Sequence, residues 1–128
     1  VKRLLAKGIN PLEANVLVMG LTFKENVSDI RNTKVIDVVR ELESFNVKVD
    51  ALDPKADADE VRQEYDLEMV DAPRREGYDA VVVAVNHDDF ENFTRGELSR
   101  LLKNDQGTVI DVKGVFRGKT GDLDYWSL

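Results

Sequence analysis

The sequence predicts an α/β fold, a three-layer α/β/α sandwich around a Rossmann-like parallel sheet of about five strands. Three observations predict it. Short apolar runs alternate with stretches of helical periodicity, the pattern of βαβ units joined by right-handed crossovers. The runs are apolar on both faces, as strands covered by helices on both sides require. Glycine, proline, asparagine and aspartate stand between them, where turns and helix ends need those residues.

Val1 to Lys7 reads as the last turns of a helix stopped by Gly8, and Asn10-Pro11 breaks the chain before the sheet. Residues 1–14 are therefore expected to be a linker, 15–115 the domain and 116–128 a C-terminal tail. Asn15 to Gly20 is the first strand. Helical spacing follows in Val35, Ile36, Val38, Val39, Leu42 and Phe45, with Asn32 or Thr33 able to cap and Asn46 suited to a left-handed end. Val47 to Leu52 is the second strand, stopped by Asp53-Pro54. Acidic Asp57 to Tyr65 reads as a short surface helix, and Leu67 to Val70 as a weak strand. Ala80 to Val85 is almost purely β-branched and alanine, which predicts a central strand. Thr94-Arg95-Gly96-Glu97 is a capping box, flanked by Phe93 and Leu98 in hydrophobic-staple positions. That helix runs to about Lys103, and Asp105-Gln106-Gly107 turns into the last strand, Thr108 to Val112.

At 128 residues with 42% hydrophobic and 34% charged residues, the chain has the composition of one ordinary globular domain. Its net charge of −7 argues against nucleic-acid binding, which relies on a basic surface, so an anionic ligand must be captured by local cations. The absence of cysteine excludes disulfides, thiolate metal sites and a cysteine nucleophile within this chain. No apolar run approaches the roughly 20 residues of a membrane span, so the expected location is cytoplasmic, without a membrane partner. A first residue other than methionine suggests a piece of a longer protein.

The chemistry concentrates after the first strand. Gly20 to Thr33 carries Lys24 and Arg31 from a strand end to a helix start, a natural site for a phosphorylated ligand. The last strand delivers Lys113 and Arg117, and the cations converge if both strands lie near the point where strand order reverses. Gly20 is not followed by the further glycines of the dinucleotide fingerprint. Gly114 to Thr120 resembles a P-loop but is one residue short between its glycines and has no strong helix signal behind it. His87-Asp88-Asp89 reads as a loop with capping aspartates rather than a metal site. Asp53 sits where a phospho-acceptor would, but the acidic pair such a switch needs after the first strand is missing. No catalytic residue and no metal site is legible at motif strength.

Gly20-Leu21-Thr22-Phe23-Lys24 with Asp29, Arg31 and Thr33 closely resembles the signature that opens the C-terminal, UDP-binding domain of the UDP-glucose/GDP-mannose dehydrogenase family. Val49 to Pro54, Tyr78 to Phe90 and Val109 to Gly114 resemble its later segments in order, so the likeness spans Asn15 to Val115. The wording is most similar to the branch that oxidises UDP-N-acetylhexosamines for surface polysaccharides. The resemblance implies an enzyme that oxidises a sugar C6 alcohol to a carboxylate with NAD, in a homodimer or higher homo-oligomer. It also implies that the NAD-binding domain, the central domain and the catalytic cysteine lie upstream, leaving this fragment inactive alone. By position, Phe23, Lys24 and Lys113 would contact the UDP-sugar substrate and Arg31 would reach NAD across a domain interface. Lys113 stands where arginine is common, and lysine brings a point charge without a bidentate fork. Arg117 receives no role. The alternative is a stand-alone nucleotide- or CoA-binding regulatory module.

Overall fold

The computed structural model describes residues 13–22, 30, 34–70, 77–85, 87, 95–103, 107–112, 114, 116–118, 120–121 and 123–127, with the backbone alone at 95–97. Within these residues the chain runs β1 (Asn15–Met19), α1 (Val35–Ser44), β2 (Lys48–Leu52), α2 (Ala58–Tyr65), β3 (Ala80–Val83), α3 (Arg95–Leu101), β4 (Thr108–Asp111) and β5 (Asp124–Ser127). The strands form one five-stranded sheet in the order β2-β1-β3-β4-β5, and every neighbouring pair is parallel.

Side-chain alternation along the strands builds the three layers. Val16 and Val18 of β1, with Ala80 and Val82 of β3, face Ile36, Val39 and Leu42 of α1 and Val61 of α2. Leu17 and Met19, with Val81 and Val83, face the opposite way, onto Leu98 and Leu101 of α3, Phe116 and Leu123. Being covered on both sides, β3 is buried at all four positions and occupies the middle of the sheet, as its composition predicts.

The helix ends follow local chemistry. After α1, Asn46 takes φ 64°, its N–H donates to the Glu43 carbonyl at 2.9 Å, and the Val47 N–H donates to that of Leu42 at 3.2 Å. This is a Schellman closure with the expected asparagine in the left-handed position, and Leu42 and Val47 share the core beneath it. At the start of α2, the Asp57 carboxylate accepts from the N–H groups of Asp59 and Glu60 at 2.9 and 3.2 Å. The N-cap position of α1 is Lys34, which makes no side-chain cap bond. The expected caps Asn32, Thr33 and Thr94, the staple residue Phe93 and the helix at residues 1–7 lie outside the described residues.

Two segments depart from the sequence expectation. Leu67 to Val70 is not a strand: it makes a single bridge, Ala51 to Met69, and one further bond from the Val70 N–H to the Ala51 carbonyl, while Leu67 turns into the core. The segment expected as a tail instead buries Phe116 and Leu123 and supplies β5, which pairs with β4. The fifth strand therefore comes from the C-terminal end.

Candidate functional site

From β1 the chain crosses to β2 on one side, then returns over β1 to place β3 on the other. That reversal puts the ligand crevice of such a sheet outside the carboxyl ends of β1 and β3. Gly20 leaves β1 at this point with φ 98°, and its N–H donates to the Leu52 carbonyl at 2.8 Å. A Cβ at Gly20 would stand 2.7 Å from the Cβ of Val85 and 2.9 Å from its nitrogen. Only glycine permits both the dihedral and the close approach.

Beside it, the Asp53 carboxylate gathers the loops of three strands. One oxygen accepts from the Leu21 N–H at 2.6 Å and the Thr22 N–H at 3.1 Å, in the segment after β1. The other accepts from the N–H groups of Lys55 and Ala56 at 2.7 and 3.2 Å, in the turn after β2. His87, which follows β3, brings Nε2 to 3.0 Å from the first oxygen and 3.1 Å from the Thr22 hydroxyl. A bare ring nitrogen facing a carboxylate would repel it, so the geometry assigns the proton to Nε2. The side chains of Asp53 and His87 are wholly buried. An acceptor so filled by protein donors has no oxygen to offer an incoming phosphoryl group, which removes the phospho-acceptor reading of Asp53.

The segment after β1 is held again further on. Ile30 is buried in the core, and its carbonyl accepts the hydroxyl of Tyr65 at the end of α2. A second buried carboxylate works at the end of β4. Asp111 accepts from the Phe116 N–H and the Tyr125 hydroxyl, both at 2.7 Å, and so ties the turn after β4 to β5. Gly114 opens that turn at φ 73°, and Arg117 closes it by donating to the Ser127 hydroxyl at 3.0 Å. The P-loop-like run from Gly114 thus leads into a strand.

Burial, and secondarily the bond to Asp111, hold the Tyr125 phenol above its ordinary value of 10.0. A raised folded-state value stabilises the fold fully below the unfolded value and loses that contribution as pH rises through the folded one. Chemical denaturation across alkaline pH should therefore show stability falling from about pH 10 upward, with Tyr125→Phe flattening that part of the fall. Parallel wild-type and Tyr125→Phe curves would remove the linkage.

Phe23, Lys24, Arg31 and Lys113 lie outside the described residues. The structure places their flanking anchors: Leu21 and Thr22 on Asp53, Ile30 in the core, and Val112 and Gly114 around the end of β4. β1 and β4 both flank β3, so their carboxyl ends stand about 10 Å apart on one edge of the sheet. Arg117 is bonded to Ser127. The Asp53–His87 pairing was not legible in the sequence, although both residues follow strand ends. Among the described residues, no group of three or more His, Asp or Glu is arranged to hold a metal ion. No helix among them is long and apolar enough to cross a membrane.

A family model for the UDP binding domain of the UDP-glucose/GDP-mannose dehydrogenase family matches residues 17–118. Over 123 residues, 96% of this chain, the sequence is 42% identical to UDP-N-acetyl-D-glucosamine 6-dehydrogenase of Salmonella typhi and 40% identical to the protein of that name from Pseudomonas aeruginosa. The chain spans 29% of the length of each. Among solved structures, NDP-N-acetyl-D-galactosaminuronic acid dehydrogenase from Methanosarcina mazei Go1 has the same fold, with a TM-score of 0.83 at 18% identity, over 99% of this chain and 26% of that one.

Proposed function

Because the chain belongs to the UDP-glucose/GDP-mannose dehydrogenase family and matches its UDP-binding domain, we propose that it is the nucleotide clamp of an NAD-dependent UDP-sugar 6-dehydrogenase. The observation that carries this reading is the anchored strand edge: the segments bearing Lys24 and Lys113 leave the two strands that flank β3. In the proposal Phe23 and Lys24 grip the substrate from one side and Lys113 from the other, while Arg31 reaches the cofactor across a domain interface. Cations are needed for a diphosphate, the more so on a chain of net charge −7. Binding the nucleotide fixes the distant sugar, so its C6 alcohol meets the reacting groups already oriented.

The described residues after β1 do not themselves fit the pyrophosphate of NAD. The backbone N–H groups that a dinucleotide fold aims at that pyrophosphate after β1 are, at Leu21 and Thr22, donated to Asp53. The proposal assigns the grip on the NAD pyrophosphate and the catalytic nucleophile to other domains of a longer protein. Taking an alcohol to a carboxylate removes four electrons, and the proposal assigns them to two NAD molecules per sugar. The names of the Salmonella and Pseudomonas relatives favour a UDP-N-acetylhexosamine as substrate, and the proposal adds surface polysaccharide synthesis as the use of its product. The same reading makes the full-length protein a cytoplasmic homodimer or larger homo-oligomer.

The test is steady-state NAD reduction by the full-length protein across a panel of UDP- and GDP-sugars. Turnover of a UDP-N-acetylhexosamine with formation of the uronate is the expected result. Absence of turnover with every nucleotide sugar, alongside retained nucleotide binding, would instead establish a binding module.

A further inference from the structure

His87, Asp53 and Thr22 form a buried polar unit that the proposed clamp does not use directly, and it lies at the point where strand order reverses. Burying such groups is costly unless every one is bonded, and a well-packed apolar cluster would stabilise the fold as well or better. What apolar packing cannot do is fix two backbone amides in one direction. The Asp53 carboxylate does this for Leu21 and Thr22, the last residues before Phe23 and Lys24, while its other oxygen holds the turn after β2. His87 donates to the same carboxylate oxygen and lies within hydrogen-bond distance of the Thr22 hydroxyl, which adds the end of β3 to the assembly. We infer that His87 and Asp53 are positioning residues for substrate binding: they set the direction in which the chain leaves β1, and hence where Phe23 and Lys24 meet the UDP-sugar. The inference rests on the clamp reading.

The test uses the full-length dehydrogenase with UDP-N-acetylglucosamine as the varied substrate and three variants. His87→Leu keeps volume and removes the donor, and should raise KM about tenfold with kcat within about threefold. His87→Gln restores an N–H donor and should return KM to within about threefold of wild type. Thr22→Val removes only the hydroxyl and should raise KM by about threefold or more. A purely structural role would lower the melting temperature without this split between KM and kcat, and would not be rescued by glutamine. The inference is overturned if folded His87→Leu keeps wild-type KM, or if glutamine is as damaging as leucine. Should His87→Leu fail to fold, an unchanged KM in Thr22→Val overturns it. Lys24→Ala, measured in parallel, separates the two levels. A raised KM in Lys24→Ala with an unchanged KM in His87→Leu defeats the positioning role alone, whereas an unchanged KM in Lys24→Ala defeats the clamp.

Discussion

On the proposed clamp reading, Lys24→Ala in the full-length protein should raise the KM for the UDP-sugar by about ten- to a hundredfold and change kcat far less. The magnitude follows from what a lysine offers a diphosphate. A hydrogen bond to a charged group contributes about 1.5–3 kcal/mol net, and each 1.4 kcal/mol is a factor of ten in affinity. The direction follows from where the contact is made. A cation on the nucleotide is remote from the reacting C6 and binds ground and transition states alike, which appears in KM rather than kcat. Because the domain carries a net charge of −7, the loss is not made up by a background of other cations. Steady-state kinetics at low ionic strength, where screening is weakest, give the clearest reading. An apparent affinity equal to that of the wild type would remove Lys24 from the site.

Gly20→Ala should destabilise the domain by about 2–4 kcal/mol. Two independent costs combine. An alanine forced to φ 98° carries roughly 1–2 kcal/mol of backbone strain. The new methyl would also stand 2.7 Å from the Val85 Cβ and 2.9 Å from the Val85 nitrogen, and overpacking of this kind costs typically about 1–3 kcal/mol. The neighbour cannot swing aside as a flexible side-chain tip would, because one of the atoms met is backbone at the end of the central strand. Urea denaturation of the variant should show a lower midpoint with an unchanged slope. A loss below about 0.5 kcal/mol would mean that β1 and β3 can part at their carboxyl ends, contrary to the close approach described.

Much of this architecture is legible in the sequence because two periodicities agree with it. The spacing of Ile36, Val39 and Leu42 places one face of α1 on the sheet, and the short, β-branched apolar run at Ala80–Val83 reads as a strand covered on both sides. Asn46 and Asp57 announce their helix end and start because the chemistry of each is local. β5 was missed because it is short and at the edge. Asp124-Tyr125-Trp126-Ser127 is buried at none of its positions beyond the intermediate level, so it needs no apolar run. Its one cue was a pair of aromatic residues after Gly121, a combination favoured in strands. Leu67 to Val70 misled for the opposite reason: Leu67 is apolar because it caps the core, not because the segment extends the sheet. For the site, the cations and Phe23 were legible as residue types after strand ends, whereas the pairing of Asp53 with His87 depends on bringing β2 and β3 to either side of β1. No local pattern encodes that.

The late strand has a practical consequence. The single tryptophan of the chain, Trp126, lies on β5 opposite Ile110 of β4 and is 40% exposed. Its indole is therefore half in water and half against the sheet, an environment in which emission colour shifts with small changes in hydration. The molecule carries its own optical reporter, placed on the β4 side of the sheet and away from the Asp53 cluster. Fluorescence can follow the seating of the edge strand while kinetics of the full-length protein follow the proposed clamp, so fraying at one margin of the sheet and a change at the exit of β1 can be read as separate signals in one sample.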